Sequence, residues 1–222
     1  MTGASRGIGR AIALELAADH EVVAIARSRP ELEQLAAEIA ERGGKCVVCP
    51  LDLADPGAVA AALDGIEADV LVNNAGVGIM RPLLDLEPAE WHAMVDVNVN
   101  ALFHVTRELL PGMVRRRRGH LITVSSIAGR SAFPGGSCYA ATKHFANAFT
   151  ESLYLEVRDQ GVKVSIVQPG AVATDFGRGD PDATENAWKL RPEAVAKAVR
   201  QLLGMGANEL IFQIEVRALR KY

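Results

Sequence analysis

The sequence contains little cysteine and no long apolar run. Its 222 residues include only three cysteines, and such a small, odd number argues against a secreted scaffold held together by disulfides. Neither a secretory signal nor a stretch of 18 apolar residues occurs, so the sequence predicts no membrane-spanning helix and no membrane partner. We therefore expect a cytoplasmic protein.

A strong excess of charge of one sign is also absent. The net charge is -3 and the isoelectric point is near 6.0, which gives no overall attraction to nucleic acid or to an anionic membrane. The one basic cluster, Arg115 to Arg118, lies just before Gly119, where a long helix is expected to end. We interpret it as a cationic last turn that offsets the helix dipole rather than as a nucleic-acid site.

The sequence has no recognisable pattern of metal ligands. Cys46 and Cys49 have a CxxC spacing, but they lie in an apolar run with strand character, where residues three apart point to opposite faces. No second cysteine pair completes a site, and the five histidines show no motif spacing. We predict no metal and interpret Cys138 as a small buried residue, although it adjoins Tyr139 and a place near a pocket is the alternative.

Apolar runs with strand character alternate with helical patterns along the chain. This order predicts an α/β fold, a doubly wound parallel sheet with helices on both faces. The apolar content of 49% and the absence of repeats or linkers predict one domain over residues 1–222. Helices are predicted to begin near Pro30, Pro56, Pro88, Ser137 and Pro192. The predicted strands are Glu21 to Ala26, Lys45 to Pro50, Asp69 to Asn73, His120 to Ser125, Val162 to Val167 and Glu209 to Gln213.

A glycine-rich turn lies at the start of the chain, directly before a helical pattern. Such a turn lets backbone N–H groups approach a pyrophosphate at a helix N-terminus. The turn therefore predicts a dinucleotide site. Its candidate cofactor-binding residues are Gly3, Ser5, Arg6, Gly7, Ile8 and Gly9.

Tyr139 and Lys143 are four residues apart on a predicted helix, which places a phenol beside an ammonium on one face. A nearby positive charge favours the phenolate and lowers its pKa from about 10, so the pair suits proton exchange with a carbonyl or alcohol oxygen. Such a pair alone is more often a solvated face. Thirteen residues before Tyr139, however, Ser126 ends an apolar run that reads as a buried strand, and this spacing favours Ser126 over Ser125.

These motifs and three more follow one another along the chain in the order typical of the short-chain dehydrogenase/reductase family. The chain resembles that family over nearly its whole length. The further motifs are Asn73-Asn74-Ala75-Gly76, Asn98-Val99-Asn100-Ala101-Leu102-Phe103 and Pro169-Gly170-Ala171-Val172-Ala173-Thr174. The resemblance implies a Rossmann-type sheet of seven strands and hydride transfer between a nicotinamide and a carbonyl carbon. It also implies a homodimer or homotetramer formed through two long helices, here around 91–114 and 139–157.

Roles of single residues follow from the same resemblance. Tyr139 gives a proton to the substrate oxygen, Ser126 hydrogen-bonds that oxygen, and Lys143 also holds the ribose hydroxyls. Asn98 resembles the helix residue that completes a proton relay through water, and the alternative is an amide satisfied by backbone. For Asp52 the alternative is a turn or cap. The residues implied to line the cofactor are Asp52, Leu53, Asn73, Ala75, Gly76, Pro169, Gly170, Val172 and Thr174.

The charge after the run Glu21 to Ala26 predicts NADP(H) as the cofactor. An NAD-selective site of this type needs a carboxylate there, whereas a 2′-phosphate favours arginine. The sequence continues with Arg27 and has no acid at this place. Arg27 and Arg6 are therefore the predicted phosphate clamp, with two solvated loop arginines as the alternative.

The glycine turn should follow a buried strand, but only Met1 precedes Thr2. About five or six apolar residues of ordinary strand length are missing. In the family this strand is central, so we expect its absence to unpair backbone groups on two neighbours and to open the core. We also expect that the natural start codon lies upstream or that the chain was cut.

The predicted substrate is a small ketone or aldehyde, apolar or modestly polar, and its alcohol. The resemblance implies a pocket between the segments 127–137 and 171–190. The candidate wall residues are Met80, Phe133, Phe176 and Trp188. The second segment also holds Gly177, Gly179, Asp180 and Pro181, which predict a mobile lid.

Two other functions stay open. The 3-oxoacyl-[acyl-carrier-protein] reductases share the motifs above, but they usually finish with a glycine-rich segment. The segment from Asn208 to Arg220 instead resembles carbonyl and hydroxy-acid reductases. The other alternative is a sensor or scaffold that binds NADP(H) without turnover, against which the intact Ser126, Tyr139 and Lys143 argue.

Overall fold

The structure is a computed structural model that describes residues 1–178 and 182–219. Within these residues the helices are α1 Gly7–Leu16, α2 Arg29–Glu41, α3 Pro56–Leu63, α4 Pro88–Val95, α5 Ala101–Arg116, α6 Ser137–Val157 and α7 Pro192–Leu203. The strands are β1 Glu21–Ala26, β2 Lys45–Pro50, β3 Val70–Asn73, β4 Gly119–Val124, β5 Val162–Pro169 and β6 Gln213–Val216. A π-helical turn, Asp96–Asn100, joins α4 to α5.

The strands pair in parallel and carry helices on both faces. β1 pairs with β2, and β3, β4, β5 and β6 pair in that order. Leu71 and Leu121 pack with residues of α3, α5 and α6, whereas the next residues along the strands, Val72 and Ile122, pack with α1 and α7. This alternation follows from the two-residue period of a strand. The predicted doubly wound fold is confirmed.

A large cavity separates β1 from β3. Its volume is about 1040 Å³, and it is lined on the β1 side by Glu21, Val22, Val23 and Ile25 and on the β3 side by residues 70–72. Among the described residues, no strand lies between β1 and β3. The expectation that the core opens here is confirmed. We call this cavity the strand slot.

Met1 and Thr2 bridge one end of the strand slot in extended form. The Ile25 N–H donates to the Met1 carbonyl at 2.9 Å, and the Thr2 N–H donates to the Val72 carbonyl at 3.1 Å. The Met1 amine donates to the Val23 carbonyl at 3.0 Å. Burial lowers the pKa of this amine to about 6. The two residues therefore join the two sheets at the end nearest the glycine turn.

The last strand lies downstream of its predicted position. The prediction was Glu209 to Gln213, but β6 begins at Gln213. Before Gln213 the chain contacts β5 through individual hydrogen bonds rather than a strand ladder. One of them runs from the Ser165 hydroxyl to the Ile211 carbonyl, at 2.7 Å. The ladder begins where Ile166 lies opposite Gln213. The apolar run before Gln213 is a packed connection, so this prediction is wrong. The other five strands lie within two residues of their predicted bounds.

The basic cluster ends α5 as predicted. Arg116 pairs with Glu67 at 3.1 Å, and Arg118 lies 3.7 Å from Asp69. Arg117 closes the helix in the left-handed conformation at a φ of 51°. These arginines contact neighbouring loops, which agrees with a structural role for the cluster.

The cysteines of the CxxC pattern point to opposite faces of β2, as predicted. Cys46 packs against the cluster around Leu35, and Cys49 packs against the cluster around Leu71. In the part of the chain that the structure describes, no group of three histidine, cysteine or acidic side chains could hold a metal ion. No helix in residues 1–178 or 182–219 is long and apolar enough to cross a membrane.

Candidate active site

Close backbone contacts shape the glycine turn before α1. A Cβ on Gly9 would lie 2.0 Å from the Gly3 carbonyl oxygen, so only glycine allows this approach. The Asn74 amide donates to the Thr2 and Gly3 carbonyls at 3.1 and 3.3 Å and so ties the turn to the end of β3. The turn then delivers the N-terminus of α1, whose free N–H groups suit a phosphate.

Asn74 helps to hold the glycine turn, but it is not among the predicted site residues. Its neighbour Asn73 is predicted to line the cofactor, but the Asn73 amide is buried and donates to the Thr106 hydroxyl at 3.0 Å. The sequence did contain a signal for Asn74, because it is the second of two polar residues at the end of a buried strand. A polar residue there lies at the carboxyl edge of the sheet, where ligands bind in such folds.

The structure brings Ser126, Tyr139 and Lys143 together at the carboxyl end of β4. The Ser126 hydroxyl accepts from the Ala128 N–H at 3.1 Å and is close enough to the Tyr139 phenol to favour its charged form. The Lys143 ammonium lies 5.9 Å from the centre of the Tyr139 ring and donates to the Val124 carbonyl at 3.3 Å. Tyr139 and Lys143 are only 7% and 6% exposed. A phenol, a hydroxyl and an ammonium therefore share one largely dry site.

Burial dominates the electrostatics of this site. It raises the pKa of Tyr139, and the interaction with Ser126 opposes that rise. The pKa of Tyr139 therefore moves upward in this structure, and its lowering by Lys143 stays a prediction. The physical reason is that the phenolate loses its hydration, while the ammonium is directed to the Val124 carbonyl. Burial also lowers the pKa of Lys143 to about 8.

The buried Lys143 is expected to make the free energy of unfolding vary with pH in the alkaline range. Its pKa is about 8 in the folded chain against an ordinary 10.5, so between these values the unfolded chain binds more protons. Stability should therefore rise with pH across this window. Relative to Lys143→Met, the wild type should gain about 3 kcal/mol from pH 7 to 10.5, because one pKa unit corresponds to about 1.4 kcal/mol.

Urea unfolding at several pH values measures this gain. Lys197→Met is the matched control, because Lys197 is an exposed lysine on α7. The control should keep a constant difference from the wild type over the same range. A constant difference for Lys143→Met as well would show that Lys143 is not desolvated.

Asn98 lies in the π-helical turn between α4 and α5. Its amide donates to the Val77 carbonyl at 2.8 Å and to the Thr142 hydroxyl at 3.0 Å. Its oxygen accepts from the Val77 N–H at 2.8 Å. The alternative of an amide satisfied by backbone describes these contacts. A second lone pair on the oxygen remains for a further donor.

A small cavity lies beside Asn98 and Lys143. Its volume is about 20 Å³, and Asn73 and Thr123 also line it. A cavity of this size holds one water molecule, which needs two to four polar partners. The lining therefore suits one water between Asn98 and Lys143.

The two predicted arginines of the phosphate clamp are both exposed near the carboxyl edge of the sheet. Arg27 directly follows β1, and Arg6 precedes α1. The Arg6 guanidinium forms an ion pair with Asp175. Asp52 is also exposed, and its carboxylate accepts from the Ala54 N–H at 3.1 Å, so it occupies the turn role given as its alternative.

The remaining predicted cofactor residues divide between core and loop. Leu53 is buried in the apolar core. Pro169 ends β5, and the N–H of Gly170 donates to the Val216 carbonyl at 2.8 Å. Val172 pairs with Leu190. The other three, Ala75, Gly76 and Thr174, lie half-buried.

Of the four predicted wall residues, Phe176 lies beside the catalytic candidate Tyr139, and Met80 approaches Phe176 over Gly78. The Phe176 ring lies 5.7 Å from the Tyr139 ring, and a Cβ on Gly78 would lie 2.4 Å from Phe176 Cε1 and 3.0 Å from Met80 Cε. Because Gly78 has no side chain, Phe176 and Met80 can meet over it. The other two wall residues are Phe133, which packs over Gly136, and the half-buried Trp188. Gly179, Asp180 and Pro181 of the predicted lid lie outside the described residues.

Comparisons with known proteins agree with this arrangement. A family model described as short chain dehydrogenase matches residues 1–184. Glycine betaine reductase ATRR of Emericella nidulans is 37% identical over 96% of this chain, although the chain spans only 18% of that relative's length. The NADP-dependent 3-hydroxy acid dehydrogenase YdfG of Escherichia coli strain K12 is 34% identical, over 97% of this chain and 92% of its own length.

A solved structure extends the likeness to three dimensions. It is an alcohol dehydrogenase from the archaeon Thermococcus sibiricus, complexed with 5-hydroxy-NADP. It matches with a TM-score of 0.92 and 31% identity, over 99% of this chain and 95% of the other. The match of the family model to most of the residues decides the assignment. The chain belongs to the short chain dehydrogenase family.

Proposed function

We propose that the chain is an NADP(H)-dependent oxidoreductase that interconverts a ketone or aldehyde and the corresponding alcohol by hydride transfer. The observation that carries this proposal is the meeting of Ser126, Tyr139 and Lys143 at the carboxyl end of β4. The glycine turn and the N-terminus of α1 supply a phosphate site on the same edge of the sheet. The similarity to YdfG and to an NADP-complexed dehydrogenase supports the choice of cofactor.

The site residues fit a proton-transfer role in this reaction. When bound, the nicotinamide supplies a hydride to the carbonyl carbon. Tyr139 donates its phenolic proton to the carbonyl oxygen, and the Ser126 hydroxyl hydrogen-bonds the same oxygen. Lys143, with a pKa of about 8, exchanges a proton with water near neutral pH. The small cavity beside Asn98 provides a place for that water.

The substrate that fits best is small and has apolar or modestly polar substituents. Phe176 presents apolar surface beside Tyr139, and Met80 approaches Phe176 over Gly78. Because YdfG is named a 3-hydroxy acid dehydrogenase, 3-hydroxy acids are the first compounds to assay, with NADP⁺ as the oxidant. A 3-oxoacyl-[acyl-carrier-protein] reductase is the weaker candidate, because the segment from Asn208 to Arg220 lacks the glycine-rich sequence usual in such reductases.

Self-association is also proposed. Apolar side chains are exposed on α4, α5 and α6, the elements that the resemblance implies as the interface. They are Trp91, Phe103, Phe145 and Leu155. Such exposed groups on neighbouring helices are typical of a contact between copies of one chain.

Coenzyme titration tests the proposed function. The wild type should bind NADPH much more tightly than NADH in calorimetry, because Arg27 meets the 2′-phosphate. Arg27→Met should weaken NADPH binding about 10- to 100-fold, since a hydrogen bond to a charged group contributes about 1.5–3 kcal/mol. NADH binding should stay the same.

Arg29→Met is the matched control for this titration. Arg29 lies two residues further along and pairs only loosely with Glu33, at 3.6 Å. Its loss should leave both affinities unchanged. Equal affinities of the wild type for NADPH and NADH would contradict the proposed cofactor choice.

A further inference from the structure

Three residues that follow β5 and the Pro169-Gly170 turn lie across the candidate site. We call Thr174, Asp175 and Phe176 the strap. At one end the Thr174 methyl group would lie 3.2 Å from a Cβ on Gly7, in the glycine turn. At the other end the Phe176 ring packs at 5.7 Å from the Tyr139 ring. The strap therefore links the phosphate site to the proton donor.

Asp175 sits between these two contacts and engages the phosphate side. Its carboxylate forms an ion pair with the Arg6 guanidinium. The Phe176 N–H donates to the Thr174 hydroxyl at 3.3 Å, which holds the strap in a tight turn. The Arg6 and Asp175 side chains are 61% and 45% exposed. The pair is thus screened by water, and a stronger anion can displace it.

We propose that Asp175 determines cofactor specificity by competing with the 2′-phosphate of NADP(H) for Arg6. This inference rests on the proposed function. A guanidinium binds a carboxylate and a phosphate through the same planar fork of donors. Two anions on one fork repel each other, so the phosphate must displace or crowd the carboxylate. Asp175 therefore weakens binding of NADPH and leaves NADH, which has no 2′-phosphate, unaffected.

The expected size of the effect follows from the exposure of the pair. Exposed ion pairs contribute up to about 1 kcal/mol, which corresponds to about fivefold in affinity. Removal of the repulsion between the carboxylate and a phosphate dianion adds to this value. We expect Asp175→Asn to tighten NADPH binding about three- to tenfold at low salt, and less at high salt.

Calorimetric titration of the full chain with NADPH and NADH tests the proposal. The variants are Asp175→Asn, Arg6→Met and the double variant. Asp175→Ala repeats the loss of charge with a different side chain. Glu185→Gln is the matched control, because Glu185 is an exposed acid further along the same segment, in the turn Thr184–Asn186.

The expected result has three parts. Asp175→Asn and Asp175→Ala tighten NADPH alone, the gain disappears in the Arg6→Met background, and Glu185→Gln changes neither affinity. An unchanged or weaker NADPH affinity would overturn the proposal, since Asp175 would then orient Arg6 rather than compete for it. Equal tightening of NADPH and NADH would also overturn it, because the strap would then obstruct both coenzymes.

Failure of the proposed function would be visible separately. It would appear in the wild type, as an absence of preference for NADPH over NADH. Failure of the present inference would appear only in the response of that preference to Asp175. The two results therefore cannot be confused.

Discussion

Tyr139→Phe is expected to lower kcat for carbonyl reduction about a thousandfold, because a positioned general acid contributes about 10²- to 10⁴-fold. The ring that packs against Phe176 is kept, and only the phenolic oxygen that interacts with Ser126 is removed. Coenzyme affinity should therefore stay within about twofold. Stopped-flow measurement of NADPH oxidation with a substrate found in the initial assays gives the rate, and calorimetry gives the affinity.

Tyr154→Phe is the control for this experiment. Tyr154 also lies on α6, but its ring packs against Phe212 at 4.9 Å. Loss of the Tyr154 hydroxyl should leave kcat unchanged. Tyr139→Phe with turnover close to the wild-type value would contradict the assignment of the proton donor. A wild type that binds NADPH but turns over none of the assayed carbonyls or alcohols would favour the sensor alternative.

A six-residue extension of valine, isoleucine and alanine ahead of Met1 is expected to raise the melting temperature by on the order of 10 °C. Val70 and Val72 direct backbone groups into the strand slot, because alternate residues of a strand face the same neighbour and Val72 already accepts from Thr2. An added strand would continue Met1 and Thr2 between β1 and β3.

The estimate follows from burial and entropy. Each buried valine or isoleucine contributes about 1.5–3 kcal/mol, while fixing one residue of backbone costs about 1–2 kcal/mol. Hydrogen bonds to two neighbouring strands add to the balance, so a net gain of a few kcal/mol is expected. In a chain of this size each kcal/mol raises the melting temperature by about 2–4 °C.

Differential scanning calorimetry measures this shift. The control is an extension of six glycine and serine residues, which has the same length but no side chains to bury. It should change the melting temperature little. The same melting temperature for both extensions would show that the strand slot does not accept an added strand.

Local signals were sufficient to predict most of the framework. Proline cannot donate a backbone hydrogen bond and fits the first turn of a helix, and Pro56, Pro88 and Pro192 each begin one. The four-residue spacing of Tyr139 and Lys143 places both side chains on one helical face whatever surrounds them. Their meeting with Ser126 was predictable because β4 and α6 follow each other along the chain.

Contacts between distant segments were not predictable in this way. The Arg6–Asp175 pair joins residues 169 positions apart, and no periodicity in either segment indicates it. The pKa of Tyr139 depends on how deeply the packed core buries the ring, which spacing alone does not report. The position of β6 depends on which part of β5 offers a free edge, so an apolar run four residues earlier was a misleading signal.

The π-helical turn Asp96–Asn100 makes the fold sensitive to the number of residues in this part of the chain. Each residue of an α-helix advances the chain by about 100° around its axis, and the turn holds one extra residue in the continuous helical stretch from α4 to α5. Deletion of a single codon anywhere within it would restore a regular helix and rotate one flank relative to the other. Either Met94 would leave the core, or Asn98 would turn away from Val77. Insertions and deletions should therefore disturb the site more here than most substitutions that keep the helix length.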